Sequence, residues 1–220
     1  VDEDGFRALA RSSPWRWRSV ELTRTLVGHS IVAEQAVRAW IDRPGRMRVV
    51  DHEGVEHLVD ETPQLPADIA LPLDPGAPAP VLRADGLVAE RPSTVHVFYD
   101  DPMYENYLWV AMLDPVELSG GVDVLMVRDG VRAGRPTVEA TVRPTSSYDP
   151  RCTCCAMLFG EVAAGLLRDE GGPQPDERAY ADSFDVALDV ETGICVRLRE
   201  LGGDNDGAGF DVTIAAVTPA

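Results

Sequence analysis

Apolar and polar residues alternate with period two along much of this chain, the pattern of strands that bury one face and wet the other. In "AVRAWIDR" (36–43), Val37, Ala39 and Ile41 alternate with Arg38, Trp40 and Asp42. "RMRVVDHEGVEHLVD" (46–60) predicts a hairpin turning at Asp51 to Gly54. "TVHVFYD" (94–100) predicts another strand. "VDVLMVRDGVRAGRPTVEATVRP" (122–144) predicts two more around an Asp129-Gly130 turn. "FDVALDVETGICVRLREL" (184–201) predicts a hairpin with its turn at Glu191-Thr192-Gly193, and "GFDVTIAAV" (209–217) a last strand. The short connections favour an antiparallel meander.

Helical spacing is rarer. "DEDGFRALARS" (2–12) predicts a short amphipathic helix with Phe6 and Leu9 on one side. "YDDPMYENYLWVAMLDP" (99–115) predicts a longer one, capped by Asp100 or Asp101, with Pro102 in its first turn and Asp114-Pro115 as its stop. Tyr104, Leu108 and Ala111 form one apolar stripe, and Met103, Tyr107 and Val110 its neighbour. A helix this apolar is covered on two sides or lines a cavity. Residues 60–92 hold seven of the 17 prolines and cannot donate regularly to a ladder. Their many apolar side chains make a free linker unsuitable, so they are expected to be an ordered excursion that crosses a sheet edge or lids a cavity, within a single domain spanning 1–220.

Composition narrows the functional classes. With 37 acidic and 20 basic side chains, the net charge is −17. Such a surface repels phosphate backbones, so no nucleic-acid partner is expected. No apolar run approaches the roughly 18 residues of a membrane span. The N-terminal "VDEDGFRALARSSPWRW" has no basic start followed by an apolar core, which favours a cytoplasmic setting unless an export signal has been removed. No P-loop, dinucleotide glycine fingerprint, zinc-protease or nucleophile-elbow motif occurs, so no catalytic residues are assigned.

Two hairpins carry a resemblance. Trp40, the Arg43-Pro44 turn, and Arg46 and Arg48 on the returning strand resemble the early hairpin of the bacterial lipoprotein carriers, the LolA-like proteins and related actinobacterial lipid-carrier lipoproteins. Asp189, Thr192 and Gly193 are similar to the Asp-x-x-Thr-Gly hairpin before that family's final strand. The resemblance covers about half the chain. It implies an α+β fold: a curved antiparallel sheet, a half-barrel, with a few helices on its concave face around a cavity for acyl chains. The expected function is non-catalytic carriage of a hydrophobic, acyl or lipid-like ligand between sheet and helices. Trp40, Met103, Tyr107, Leu108 and Met112 are the candidate lining, and the 60–92 segment the lid. An acidic protein-interaction module with a protein partner, or a cysteine-ligated metalloprotein or enzyme, are the alternatives.

The four cysteines carry the remaining chemistry. Cys152, Cys154 and Cys155 crowd into "RCTCC", and Cys195 lies on a predicted strand. Together they could hold zinc, or Cys152 could pair with Cys195 in a disulfide, or all could remain buried or idle thiols. Three other features have plain structural readings beside functional ones. Asp100, Asp101 and Glu105 suit a cation site or a helix cap. "GGDNDGAG" (202–209) suits a calcium loop or a hairpin tip. Trp15 and Trp17 suit a stacking platform or an edge strand that covers the core.

Overall fold

The computed structural model describes residues 1–28, 35–66, 68–93, 101–172 and 178–220. Helix α1 (Glu3–Ser12) starts where Asp2 accepts a hydrogen bond from the Gly5 amide at 2.9 Å, and buries Phe6, Leu9 and Ala10. The chain then takes a single 3-10 turn, Ser13–Trp15, with Pro14 at its start. That turn separates the two tryptophans that the sequence pattern placed on one extended edge. Trp17 instead opens β1 (Trp17–Val27), a central strand, and is fully buried.

The remaining strands are β2 (Ala36–Asp42), β3 (Arg46–Val50), β4 (Glu56–Asp60), β5 (Val81–Leu82), β6 (Val88–Glu90), β7 (Val122–Arg132), β8 (Arg135–Pro144), β9 (Ser183–Asp189), β10 (Cys195–Leu201) and β11 (Gly209–Pro219). Among the described residues, β1 and eight of these form one nine-stranded antiparallel sheet in the order β4-β3-β2-β1-β11-β10-β9-β8-β7, curved but not closed. The first strand pairs with the last, β1 with β11, near the middle of the sheet. Between β9 and β10, Asp189 accepts from both the amide and the hydroxyl of Thr192, which shapes the turn expected at 191–193.

The inward sheet face carries Leu22, Ile41, Val49, Val142, Phe184 and Phe210. Helix α1, α2 (Leu108–Leu113) and α3 (Glu161–Asp169) contribute Phe6, Trp109, Met112 and Ala163 to the same core. The anticipated α+β half-barrel, few helices on one face of a curved antiparallel sheet, is therefore the observed architecture.

Two local expectations change. The β7–β8 turn falls at Ala133-Gly134, not at Asp129-Gly130, because both turn residues take positive φ (47° and 78°), the backbone of a tight two-residue hairpin. Gly130 is instead an ordinary ladder residue opposite Thr137, and the absence of a Cβ on Gly130 leaves space for the Glu139 side chain. That carboxylate bridges Arg128 and Arg132. Gly130→Ala should displace this flexible side chain and lower stability by about 1 kcal/mol, a fall of roughly 2–4 °C in Tm by calorimetry.

The long helix predicted over 99–115 shrinks to Leu108–Leu113. Asp101 cannot cap it, because its buried carboxylate takes a two-pronged ion pair from Arg43 at 3.0 and 2.9 Å. Arg43 also donates to the Ser13 carbonyl at 2.6 Å and lies 3.3 Å over the Trp17 ring. The strand expected at 94–100, and Asp100 with it, lie outside the described residues. The proline-rich stretch carries the β5–β6 ribbon. Val88 of that ribbon is buried against α1, its amide donating to Ser12 Oγ at 2.9 Å.

Candidate functional site

Between α2 and strands β1, β10 and β11 lies a cavity of about 320 Å³, at the lower end of the usual range for small-molecule pockets. Leu26, Leu108, Met157, Phe159, Leu198 and Phe210 give it apolar walls; Asn106, Arg178, Glu200 and Asn205 add polar groups. Cys154 and Cys155 stand on its wall.

Next to this cavity the inward face of β1 breaks its own rule. Val20, Leu22, Arg24 and Leu26 share one face, alternating with Glu21, Thr23 and Thr25, so a guanidinium occupies an apolar position. Arg24 is 6% exposed, and its charge lies 5.0 Å from the centre of the Trp109 ring and 5.5 Å from that of Phe210. Its Nε is buried without a hydrogen-bond partner, and among the described residues no carboxylate forms an ion pair with it. Burial lowers its pKa to about 10, opposed by the charge of Glu105, which lines the same small recess. Arg24 and Leu26 also line a second recess of about 70 Å³, which Asp51 and Glu105 share, so this charged recess and the larger cavity meet at Leu26.

The cysteines occupy a braced loop. Cys152 has an extended backbone, and Thr153–Cys155 forms one 3-10 turn, which folds three side chains to one side. Their sulfurs lie within 4.8 Å of one another: Cys152 to Cys154 is 3.1 Å, and Cys154 to Cys155 is 3.8 Å. Buried Glu117 staples the loop, one carboxylate oxygen accepting from the Arg151 amide at 3.2 Å and the other from the Met157 amide at 3.0 Å. Tyr148 accepts from the Leu158 amide at 3.1 Å, and Thr153 donates to Glu170 at 2.6 Å. Asp114, also buried, pairs with the side chains of Arg91 and Arg151.

The electrostatics follow from burial and partners. Burial raises the Glu117 pKa above the carboxylate range, only partly countered by the two amides. Burial also pushes Asp114 upwards, but Arg91 and Arg151 outweigh it and hold that carboxyl below the ordinary range. Cys195 is pushed up to about 12 by burial, as is Cys155, whereas Cys152 is held low: burial opposes this, and hydrogen bonds from Cys154 and Cys155 prevail.

The structure divides the residues that the sequence nominated. Leu108 lines the cavity, and Tyr107 and Met103 are half-buried beside it in sequence. Met112 is sealed in the core. Trp40 faces away from the helices, stacked by Arg38 at 4.5 Å and Arg48 at 3.5 Å, because alternation gives the inward face to Ala39 and Ile41. Cys195 does not join the other three: it is fully buried on β10, its thiol donating to the Arg197 carbonyl at 3.2 Å, and neither it nor Cys152 is in a disulfide. Arg24 and Glu117 were not nominated. The first was visible as a lone cation on an apolar stripe; the second only makes sense beside Arg151 and Met157, far along the chain.

No protein-family model and no curated protein matches this chain. Among solved structures it is similar to MucB, at 17% identity and a TM-score of 0.44, covering 99% of this chain and 59% of that one. It is also similar to MucB in a complex with MucA(peri), at 14% identity and 0.44, covering 100% and 56%. A third likeness is to LprF from Mycobacterium bovis, at 15% identity and 0.39, covering 98% and 93%. The chain thus spans less than two thirds of the MucB chains it matches. Among the described residues, no helix is long and apolar enough to cross a membrane.

Proposed function

We propose that this protein binds a single-chain amphiphile with an anionic head group, non-catalytically, in the cavity between α2 and the sheet. The observation that carries this reading is Arg24, a buried cation with no ion-paired carboxylate among the described residues, beside a cavity with several apolar walls. A buried charge without a hydrogen-bonded counter-ion is costly, and a ligand carboxylate or phosphate would supply one in a low-dielectric setting. The guanidinium carbon lies over the Trp109 and Phe210 rings, and its N–H groups could give an oxyanion a two-pronged contact. Leu26, Leu108, Met157 and Phe210 would take the chain. The resemblance of the 40–48 and 189–193 hairpins to lipoprotein carriers points to the same class of ligand.

The discriminating comparison is calorimetric titration with decanoate, decanol and decyltrimethylammonium at pH 8. Decanoate should bind at least about tenfold more tightly than decanol, a difference of about 1.4 kcal/mol, and the cation should not bind. Equal affinity for acid and alcohol would remove Arg24 from the reading. Binding of none of the three would remove the carrier function itself.

A further inference from the structure

We propose that Cys152, Cys154 and Cys155 form a three-thiolate site for a copper(I) ion at the rim of the amphiphile cavity. This inference is independent of the amphiphile reading, since it rests on the loop and not on Arg24.

Geometry comes first. Metal–thiolate bonds of about 2.3 Å place three sulfurs about 4.0 Å apart in a trigonal plane. The three sulfurs here already lie within 4.8 Å of one another, with two separations of 3.1 and 3.8 Å. A small rotation of the exposed Cys154 side chain opens the shorter one. Cys152 and Cys155 are half-buried and Cys154 is exposed, so an ion can enter from solvent.

The donor set then selects the ion. Among the described residues, no histidine, aspartate, glutamate or fourth cysteine joins the three sulfurs. Structural zinc is almost always held by four protein ligands in a tetrahedron. A soft, closed-shell copper(I) ion is satisfied by three thiolates and prefers sulfur to the oxygen donors of this acidic surface. Loading is redox-neutral: three thiols release three protons, three sulfur–copper bonds form, and the site carries a net charge of −2.

The loop that carries the three sulfurs is tied down by neighbouring side chains, and Tyr148 adds to this by accepting from the Leu158 amide at 3.1 Å. Glu117 grips both ends of the loop and Glu170 holds Thr153, so the trio is braced before any ion arrives. An idle cluster of surface thiols has no need of such bracing.

The test is an anaerobic titration of the fully reduced chain with the copper(I) complex of bathocuproine disulfonate. One equivalent of copper should be withdrawn from the dye, and X-ray absorption should show three sulfur neighbours. Cys154→Ser and Cys152→Ser should each weaken retention at least 100-fold while melting like the parent. Cys195→Ala, in the core and outside the trio, should leave retention unchanged. Three results would overturn the proposal: no withdrawal of copper, undiminished retention by folded Cys154→Ser, or a Cys152–Cys154 disulfide that resists reduction unless the protein is unfolded.

Discussion

Replacing Arg24 with methionine raises the melting temperature of the ligand-free protein and abolishes its preference for an acidic head group. The two effects share one cause. Arg24 is charged in both folded and unfolded chains at neutral pH, but burial lowers its folded pKa from 12.5 to about 10. At about 1.4 kcal/mol per pKa unit, holding that charge inside costs the folded state on the order of 3 kcal/mol. Methionine has a similar reach and no charge. Some of the gain is lost with the contacts to Trp109 and Phe210, which leaves a net of about 2 kcal/mol, or roughly 4–8 °C. The sign also has a pH signature. A basic group with a depressed folded pKa costs stability below that pKa, and the cost is relieved as pH rises from about 10 towards 12.5. The gap in Tm between variant and parent should therefore narrow between pH 8 and pH 10.5. In titrations, the variant should bind decanoate no better than decanol. Should Arg24→Met melt several degrees below the parent, the guanidinium is structural, and the amphiphile loses its anchor.

What the sequence revealed and concealed divides along the range of the interactions. Strands were legible because each buries one face, and the alternation in 36–42, 46–50 and 184–201 is written locally. The turn at Asp189 to Gly193 was legible for the same reason, since Asp189 and Thr192 bond within three residues. The helix at 99–115 was over-extended because Asp101, a plausible cap, is claimed by Arg43, 58 positions away. Trp40 is among the candidate lining residues, although its parity with Arg38 and Asp42 already places it on the outer face. The crowding of the cysteines was plain, but what braces them was not. Glu117, Asp114 and Tyr148 become meaningful only once the chain has folded them under the loop.

Asp114→Ala should be among the most damaging single substitutions in this chain. The Asp114 carboxylate is wholly buried at the end of α2, and two arginines from distant segments converge on it. Arg91 ends the proline-rich excursion, and Arg151 opens the cysteine loop. Arg91 also donates to the Arg11 carbonyl at 3.0 Å, so one carboxylate joins the excursion, α1, α2 and the loop. Removing one partner from a buried charge pair typically costs 3–5 kcal/mol, because the partner's desolvation is no longer compensated. Here two guanidiniums lose the same carboxylate, so a fall of about 10 °C or more in Tm at pH 7 is expected. Acid should erase the difference. The folded pKa of Asp114 lies below its unfolded value, so its contribution is complete above the ordinary carboxylate range and fades as pH falls through the depressed folded pKa. Parent and variant should therefore converge below about pH 4. Glu117 runs the other way: its folded pKa is raised, and its contribution fades as pH climbs through that value. A Tm difference for Asp114→Ala that is small at pH 7, or that widens on acidification, would show that the two arginines are held by something other than this carboxylate.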